Sequence, residues 1–333
     1  MIKTLKIVQP VIFALIGAFL LFVSFKDIEW GKFIEAAKEI PLHWVFISIF
    51  LGYLAYVFRA LRWALLIYPI KKDIRTLNLI HSIAFGYLCN SVVPRSGELI
   101  RCTSLSKISN IPVSVLLGHV ILERLIDLII LLGCVALSII LNYKQINLLV
   151  SSEKSTLTYE PLHLNYMDWI TAHPGIIICL ICIGLGYMLY RYRALILSSV
   201  ILSKIARFIS GVKNGFVSIK ELDNKTMFII YTSLIWVCYF FMTVICFRCF
   251  QETLDLTISQ GLFVFVAGGL GMVIPTPSGI GSYHFLVKKA LVILGVGAKI
   301  GLYFAVVVHG AQTIMVLVAG FIGMSSLYYK RNE

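Results

Sequence analysis

Asn90-Ser91-Val92-Val93-Pro94-Arg95-Ser96-Gly97-Glu98-Leu99-Ile100-Arg101 interrupts an apolar segment with a proline, a glycine and three charges. Far downstream, Val273-Ile274-Pro275-Thr276-Pro277-Ser278-Gly279-Ile280-Gly281 breaks a second apolar segment. Aligning Val92-Val93-Pro94 with Val273-Ile274-Pro275, with a one-residue gap, places Ser96-Gly97 on Ser278-Gly279. Two interrupted apolar segments at matching places in two halves of a membrane chain point to a transport site at the breaks.

The surrounding composition supports that setting. The 333 residues are 59% hydrophobic and 14% charged, with a mean hydropathy of +0.92. Soluble domains carry about 25% charged residues. Several apolar runs approach the roughly 20 residues needed to cross a bilayer. The expected class is an all-α polytopic integral membrane protein. The run 7–25 lacks a small-residue cleavage site and leads into Lys26-Asp27-Ile28-Glu29-Trp30, so it reads as a retained span. The net charge of +13 sits mostly beside helix ends, where it orients the chain and meets anionic lipid. No nucleic-acid module accompanies it, so no nucleic-acid partner is expected. Cys179 and Cys182 form a C-x-x-C inside an apolar run and read as two small hydrophobic residues rather than a redox pair.

The distribution of Lys and Arg sets the expected topology. A second helix at about 43–68 ends among Arg59, Arg62, Lys71, Lys72 and Arg75, a cluster expected in the cytoplasm. The run 76–93 stops at Pro94 and is followed by Arg95, Arg101 and Lys107. Keeping these on the cytoplasmic side makes 76–110 a re-entrant hairpin. A long helix starts at Pro112 and ends near 141; the loop 142–173, poor in Lys and Arg, is expected outside. A span at 175–190 returns to Arg191 and Arg193. Residues 195–221 are amphipathic and suit either the membrane interface or packing on the protein itself. By this topology the sequon Asn224-Lys225-Thr226 is cytoplasmic. A span at 227–250 leads to a second broken hairpin, 257–297, and a last span, 300–329, ends in Lys330 and Arg331. The count is six full spans and two oppositely entering hairpins. The half-repeats are 43–141 and 227–329, joined by the connector 142–226 and related as an inverted repeat. Both termini are expected in the cytoplasm.

Charges at membrane depth are costly and usually face a cavity or a partner. Arg95, Glu98 and Arg101 follow the Pro94 break, and Glu123, Arg124 and Asp127 lie in the long helix. The arginines suit a phosphate group, which a guanidinium fork binds through two contacts. The carboxylates would hold them and keep the empty site near neutral. Arg59 and Arg62, with Arg101 as a lesser case, read as snorkelling to the interface. The second break contributes backbone: Pro275, Pro277, Gly279 and Gly281 free amides and carbonyls, and the amides near 279–282 attract an anion. Thr276, Ser278, Ser282, Tyr283 and His284 lie beside it, with His309 and Gln312 on the last helix. His309 reads as a packing residue, and Gly268, Gly269 and Gly271 as close-packing glycines. No P-loop, H-E-x-x-H or nucleophile elbow is present, so an enzyme is not expected. No cofactor or metal is expected either.

The pattern Asn90…Pro94-Arg95-x-Gly97-Glu98-x-x-Arg101, then Glu123-Arg124-x-x-Asp127, then Pro275-x-Pro277-x-Gly279-x-Gly281, resembles the lysylphosphatidylglycerol synthase transmembrane (flippase-like) family. The resemblance runs from about residue 5 to 328. It implies a lipid-translocating membrane region with paired re-entrant segments, which in the two-domain synthases moves aminoacylated phosphatidylglycerol. No synthase domain stands in these residues, so lysyl transfer is not implied. Where the family commonly carries an acidic residue after the last glycine motif, this chain has His284. His284 is expected to meet the headgroup or relay a proton; the competing reading is a bond to a freed carbonyl near Pro275. The leading expectation is a flippase of the bacterial inner membrane that moves a phospholipid or polyprenyl-phosphate lipid. The runner-up is an accessory protein for a polyprenyl-phosphate-dependent glycosyltransferase. A lipid-modifying enzyme partner and a homo-oligomer are compatible with both.

Overall fold

The computed structural model describes residues 18–22, 25, 30–143, 222 and 224–332. The first expected span is therefore described only at 18–22 and 25. The span at 175–190, nearly all of the loop 142–173, the amphipathic stretch 195–221 and the Cys179/Cys182 pair lie outside the described residues.

All regular structure among the described residues is helical. Helix α1 is Trp30–Lys38, and α2, Leu42–Ile67, begins directly after Pro41. A proline there removes only an amide that the first turn leaves unbonded anyway. Helix α3, Thr76–Val92, stops because the residue before Pro94 is pushed into extended backbone. Helix α4, Gly97–Ser109, ends on Asn110 in the left-handed region, φ 58°. Asparagine tolerates that conformation as a C-terminal stop. Helix α5, Val113–Leu141, follows Pro112. Helix α6, Lys225–Val244, is started by the Asn224 side chain, which accepts from the Met227 amide. It runs on as a 3-10 turn, Ile245–Cys249. Helix α7, Ile258–Val273, opens with a Thr257/Gln260 capping box. Helix α8, Ser282–Ile293, and α9, Ala298–Asn332, complete the chain.

Among the described residues, four segments are long and apolar enough to cross a membrane: Leu42–Ile67, Val113–Leu141, Lys225–Cys249 and Ala298–Lys330. These are the spans expected at 43–68, 112–141, 227–250 and 300–329. Helices α3, α4, α7 and α8 have 17, 13, 16 and 12 residues, fewer than the roughly 20 that a span needs. They pair as α3 with α4 and α7 with α8, each pair folding back on itself at a break.

The long-range packing joins helices far apart in the chain. Helix α2 lies along α6, α3 along α9, and α5 along α7. If 43–141 and 227–329 were exchanged, each of these pairings would map onto itself or another of them. The equivalence is incomplete, because α9 also packs broadly on α2. Glycines set the close approaches. A Cβ on Gly97 would stand 2.2 Å from the Gly86 carbonyl oxygen, so α3 and α4 touch backbone to backbone. Gly268 and Gly271 lie against Tyr283 in the second hairpin, as expected of close-packing glycines. Gly320 and Gly323 of α9 receive Leu88 and His81 of α3. Two apolar clusters fill the interior, one around Trp63, Leu66, Ile83 and Leu116, the other around Phe247, Val264, Leu291 and Phe304. Ile129, Leu132 and Ile140 of α5 face outward, as lipid contact requires.

Candidate functional site

Each break must satisfy the backbone groups that leave the helix. At the first, Asn90 Oδ1 accepts the Gly97 amide at 2.7 Å, and Ser96 Oγ donates to the Val93 carbonyl at 2.8 Å. Arg95 adopts φ 61°, a left-handed conformation that costs a branched or long residue roughly 1 kcal/mol. At the second, Pro277–Gly279 forms a short 3-10 turn with Ser278 at φ 48°, followed by Gly281 at φ 86°. Ser282 Oγ donates to the Gly271 carbonyl at 2.7 Å and lies 2.9 Å from Thr276 Oγ1. His309 Nε2 donates to the Ser278 carbonyl at 2.9 Å. His309, read from sequence as a packing residue, thus takes the freed carbonyl.

The two breaks meet although they lie far apart in sequence. Ser91 Oγ and Ser278 Oγ are 2.9 Å apart, and exposed Arg95 donates from Nη2 to the Val273 carbonyl at 3.1 Å. Val273 is the last residue of α7, so a guanidinium from the first hairpin caps the opposite hairpin's broken helix. That placement uses the negative end of the helix dipole.

The charged residues form a second layer. Arg59, Arg62, Arg101 and Glu123 are 2%, 0%, 3% and 0% exposed. This corrects the snorkelling reading of the three arginines. They project onto α5, where Glu123 and Asp127, four residues apart on one face, replace water as partners. Arg62 grips Asp127 with Nη1 at 2.9 Å and reaches Glu123 with Nε at 3.5 Å. Arg59 Nη2 is 3.3 Å from Asp127, and Arg101 Nη2 is 2.6 Å from Glu123. Arg101 also lies over the Trp63 ring at 4.8 Å, and Arg62 Nη1 points to Thr232 Oγ1 at 3.4 Å. Buried charges persist only when paired in this way.

Arg124 and Glu98 differ. They pair at 3.1 Å with side chains 42% and 29% exposed, and Arg124 Nη1 is 3.9 Å from Asp127. A small cleft beside them is lined by Tyr87, Asn90, Gly97, Glu98, Arg101 and Arg124. Ile83 and Gly86 complete its lining, and Asn90, Gly97, Glu98, Arg101 and Arg124 are the ones singled out in the sequence. Tyr87 was missed; it lies a turn before Asn90 and Ser91 and stacks on Tyr56 at 4.6 Å. Pro94, at the turn, and Glu123 and Asp127, in the buried layer, do not line the cleft. Pro275, Pro277, Gly279 and Gly281 shape the second break without lining the cleft.

His284 is 6% exposed. Its Nδ1 accepts the Gly281 amide at 3.4 Å, and its ring meets Phe25 at 5.4 Å and His309 at 4.8 Å. The competing reading gave His284 a freed carbonyl near Pro275; the Ser278 carbonyl is bonded by His309, and His284 accepts an amide. Elsewhere, an apolar cavity of about 480 Å³ opens between α5, α6 and α7, lined by Leu137, Trp236, Phe240, Leu262 and Phe265 among others. Among the described residues no group of three or more His, Cys, Asp or Glu side chains is placed to hold a metal ion.

Residues 7–320 match a family model described as the lysylphosphatidylglycerol synthase TM region. No curated protein and no solved structure matches the chain.

Proposed function

Because the chain belongs to the lysylphosphatidylglycerol synthase TM region family, we propose that this integral membrane protein moves a phosphate-bearing lipid between the leaflets of a bacterial inner membrane. Both termini lie in the cytoplasm, and the two hairpins enter from opposite faces. The observation that carries the reading is the split among the charges. Arg59, Arg62 and Arg101 are consumed by Glu123 and Asp127 in the buried layer. Arg124 and Arg95 keep solvent access beside the two breaks. A phosphate entering beside either finds a forked cation able to make two charge-assisted contacts. The apolar cavity falls within the ligand-pocket range of about 300–1,000 Å³ and suits an acyl chain. It starts at Cys134 on α5, ten residues or about 15 Å beyond Arg124.

The test is reconstitution of the pure protein in liposomes with a fluorescent phospholipid, followed by quenching of the outer leaflet. Wild type should accelerate exchange between leaflets. Arg95→Ala should lower the rate at least tenfold with the protein still folded, and Arg95→Lys should restore little, because an ammonium lacks the fork. Wild-type exchange by Arg95→Ala would remove Arg95 from the site. Exchange only in the presence of a polyprenyl-phosphate-dependent glycosyltransferase would replace the reading with an accessory role.

A further inference from the structure

The 3-10 turn that ends α6 carries Cys246-Phe247-Arg248-Cys249. A 3-10 helix has 3.0 residues per turn, so side chains three apart eclipse each other. Its rise of about 2.0 Å per residue puts the two Cα atoms about 6 Å apart. Disulfides span Cα separations of about 4.4–6.8 Å. Both thiols are free and buried in the structure, on successive turns of the same short helix. Cys246 Sγ lies 3.5 Å from the Met242 carbonyl, the same oxygen that Ser48 Oγ reaches at 2.8 Å. The other four described cysteines, Cys89, Cys102, Cys134 and Cys238, stand one to a helix on α3, α4, α5 and α6.

We propose that Cys246 and Cys249 are joined by a disulfide in the mature protein, closing the turn between α6 and the segment that leads to α7. The inference rests on the orientation given above, which puts this end of α6 on the outer, oxidising side of the membrane, and not on lipid movement. Envelope proteins form disulfides there and keep them. The oxidant is a dithiol oxidase of the envelope. One cysteine thiolate attacks its disulfide and forms a mixed disulfide, and the second thiolate then displaces the oxidase sulfur. Two thiols lose two protons and two electrons, and the oxidase disulfide becomes a dithiol. Cys246 is 0% and Cys249 6% exposed in the folded chain, so the exchange precedes final packing. Afterwards the same burial shields the bond from reductants.

Mass spectrometry of wild type tests this without a variant. Membranes from aerobic cells are quenched in acid, denatured and alkylated with N-ethylmaleimide, with and without prior reduction. The peptide carrying residues 246 and 249 should be unalkylated and lighter by two hydrogen atoms, and should take two maleimides only after reduction. Full alkylation without reductant would overturn the disulfide. Orientation is read separately, from Glu252→Cys in a background with Cys246→Ser and Cys249→Ser. Glu252 is exposed three residues beyond the turn. Labelling at position 252 by an impermeant maleimide applied outside, with the native pair reduced, sinks the disulfide and leaves the orientation standing. Labelling only from the cytoplasmic side sinks the orientation, and the disulfide with it.

Discussion

Glu123 and Glu98 are both carboxylates paired with arginine, and their surroundings give them different tasks. Glu123 is fully buried between Arg101 and Arg62. Removing one partner from a buried pair leaves an uncompensated charge and costs about 3–5 kcal/mol. Glu123→Gln should therefore destabilise the protein by roughly 3 kcal/mol, read as a lower melting temperature in detergent and poor accumulation in the membrane. Glu98 faces Arg124 with both side chains partly exposed. Exposed pairs contribute about 0–1 kcal/mol. Glu98→Gln should leave the melting temperature nearly unchanged while altering lipid movement, because it frees Arg124 for a competing anion. A large stability loss in Glu98→Gln would show that its pair is structural.

Among the elements, the hairpins carry the most specific demand. Helices α3 and α4 can fold back on each other because neither Gly86 nor Gly97 has a side chain at their contact. Gly97→Ala would drive a methyl group into the Gly86 carbonyl, and overpacking of this kind costs about 1–3 kcal/mol or more. The hairpin should open, with a lower melting temperature and a loss of lipid exchange. Gly133 on α5 is the control, since nothing lies within 4 Å of a Cβ built there. Gly133→Ala should hold or raise stability, by up to about 1 kcal/mol, through helix propensity alone. Equal melting temperatures for the two variants would contradict the backbone contact.

For the whole molecule, the decisive feature is that two halves nearly two hundred residues apart are latched at their breaks. Ser91 and Ser278 touch there, and Arg95 reaches Val273. Alternating access requires such a contact to open and close. Ser91→Cys with Ser278→Cys, in a chain otherwise free of cysteine, should cross-link under mild oxidation. The cross-linked protein should stop moving lipid and recover when reduced. Undiminished movement by the cross-linked form would show that the breaks do not part during the cycle.

What the sequence determined by itself was local. Pro94 and Pro275 interrupt hydrogen bonding wherever they stand, so the two breaks and the short helices on either side of them were legible from composition. So were the four long spans among the described residues, whose length and hydropathy answer to the bilayer rather than to other helices. The charges on α5 called for partners, because a charge at membrane depth is costly when it stands alone. Their partners could not be read. Arg59 and Arg62 near a helix end look alike whether they reach lipid headgroups or turn inward. Only the assembled bundle, which brings Glu123 and Asp127 of α5 within reach of these side chains, makes burial cheaper than snorkelling. Cys246 and Cys249 likewise match any other C-x-x-C until a 3-10 turn stacks one above the other. Arg95 follows the same logic: its chemistry was plain from its neighbours, but the Val273 carbonyl that it caps lies 178 residues away. Pairings across such separations depend on which helix faces pack together, and packing is a property of the assembled bundle rather than of any one segment.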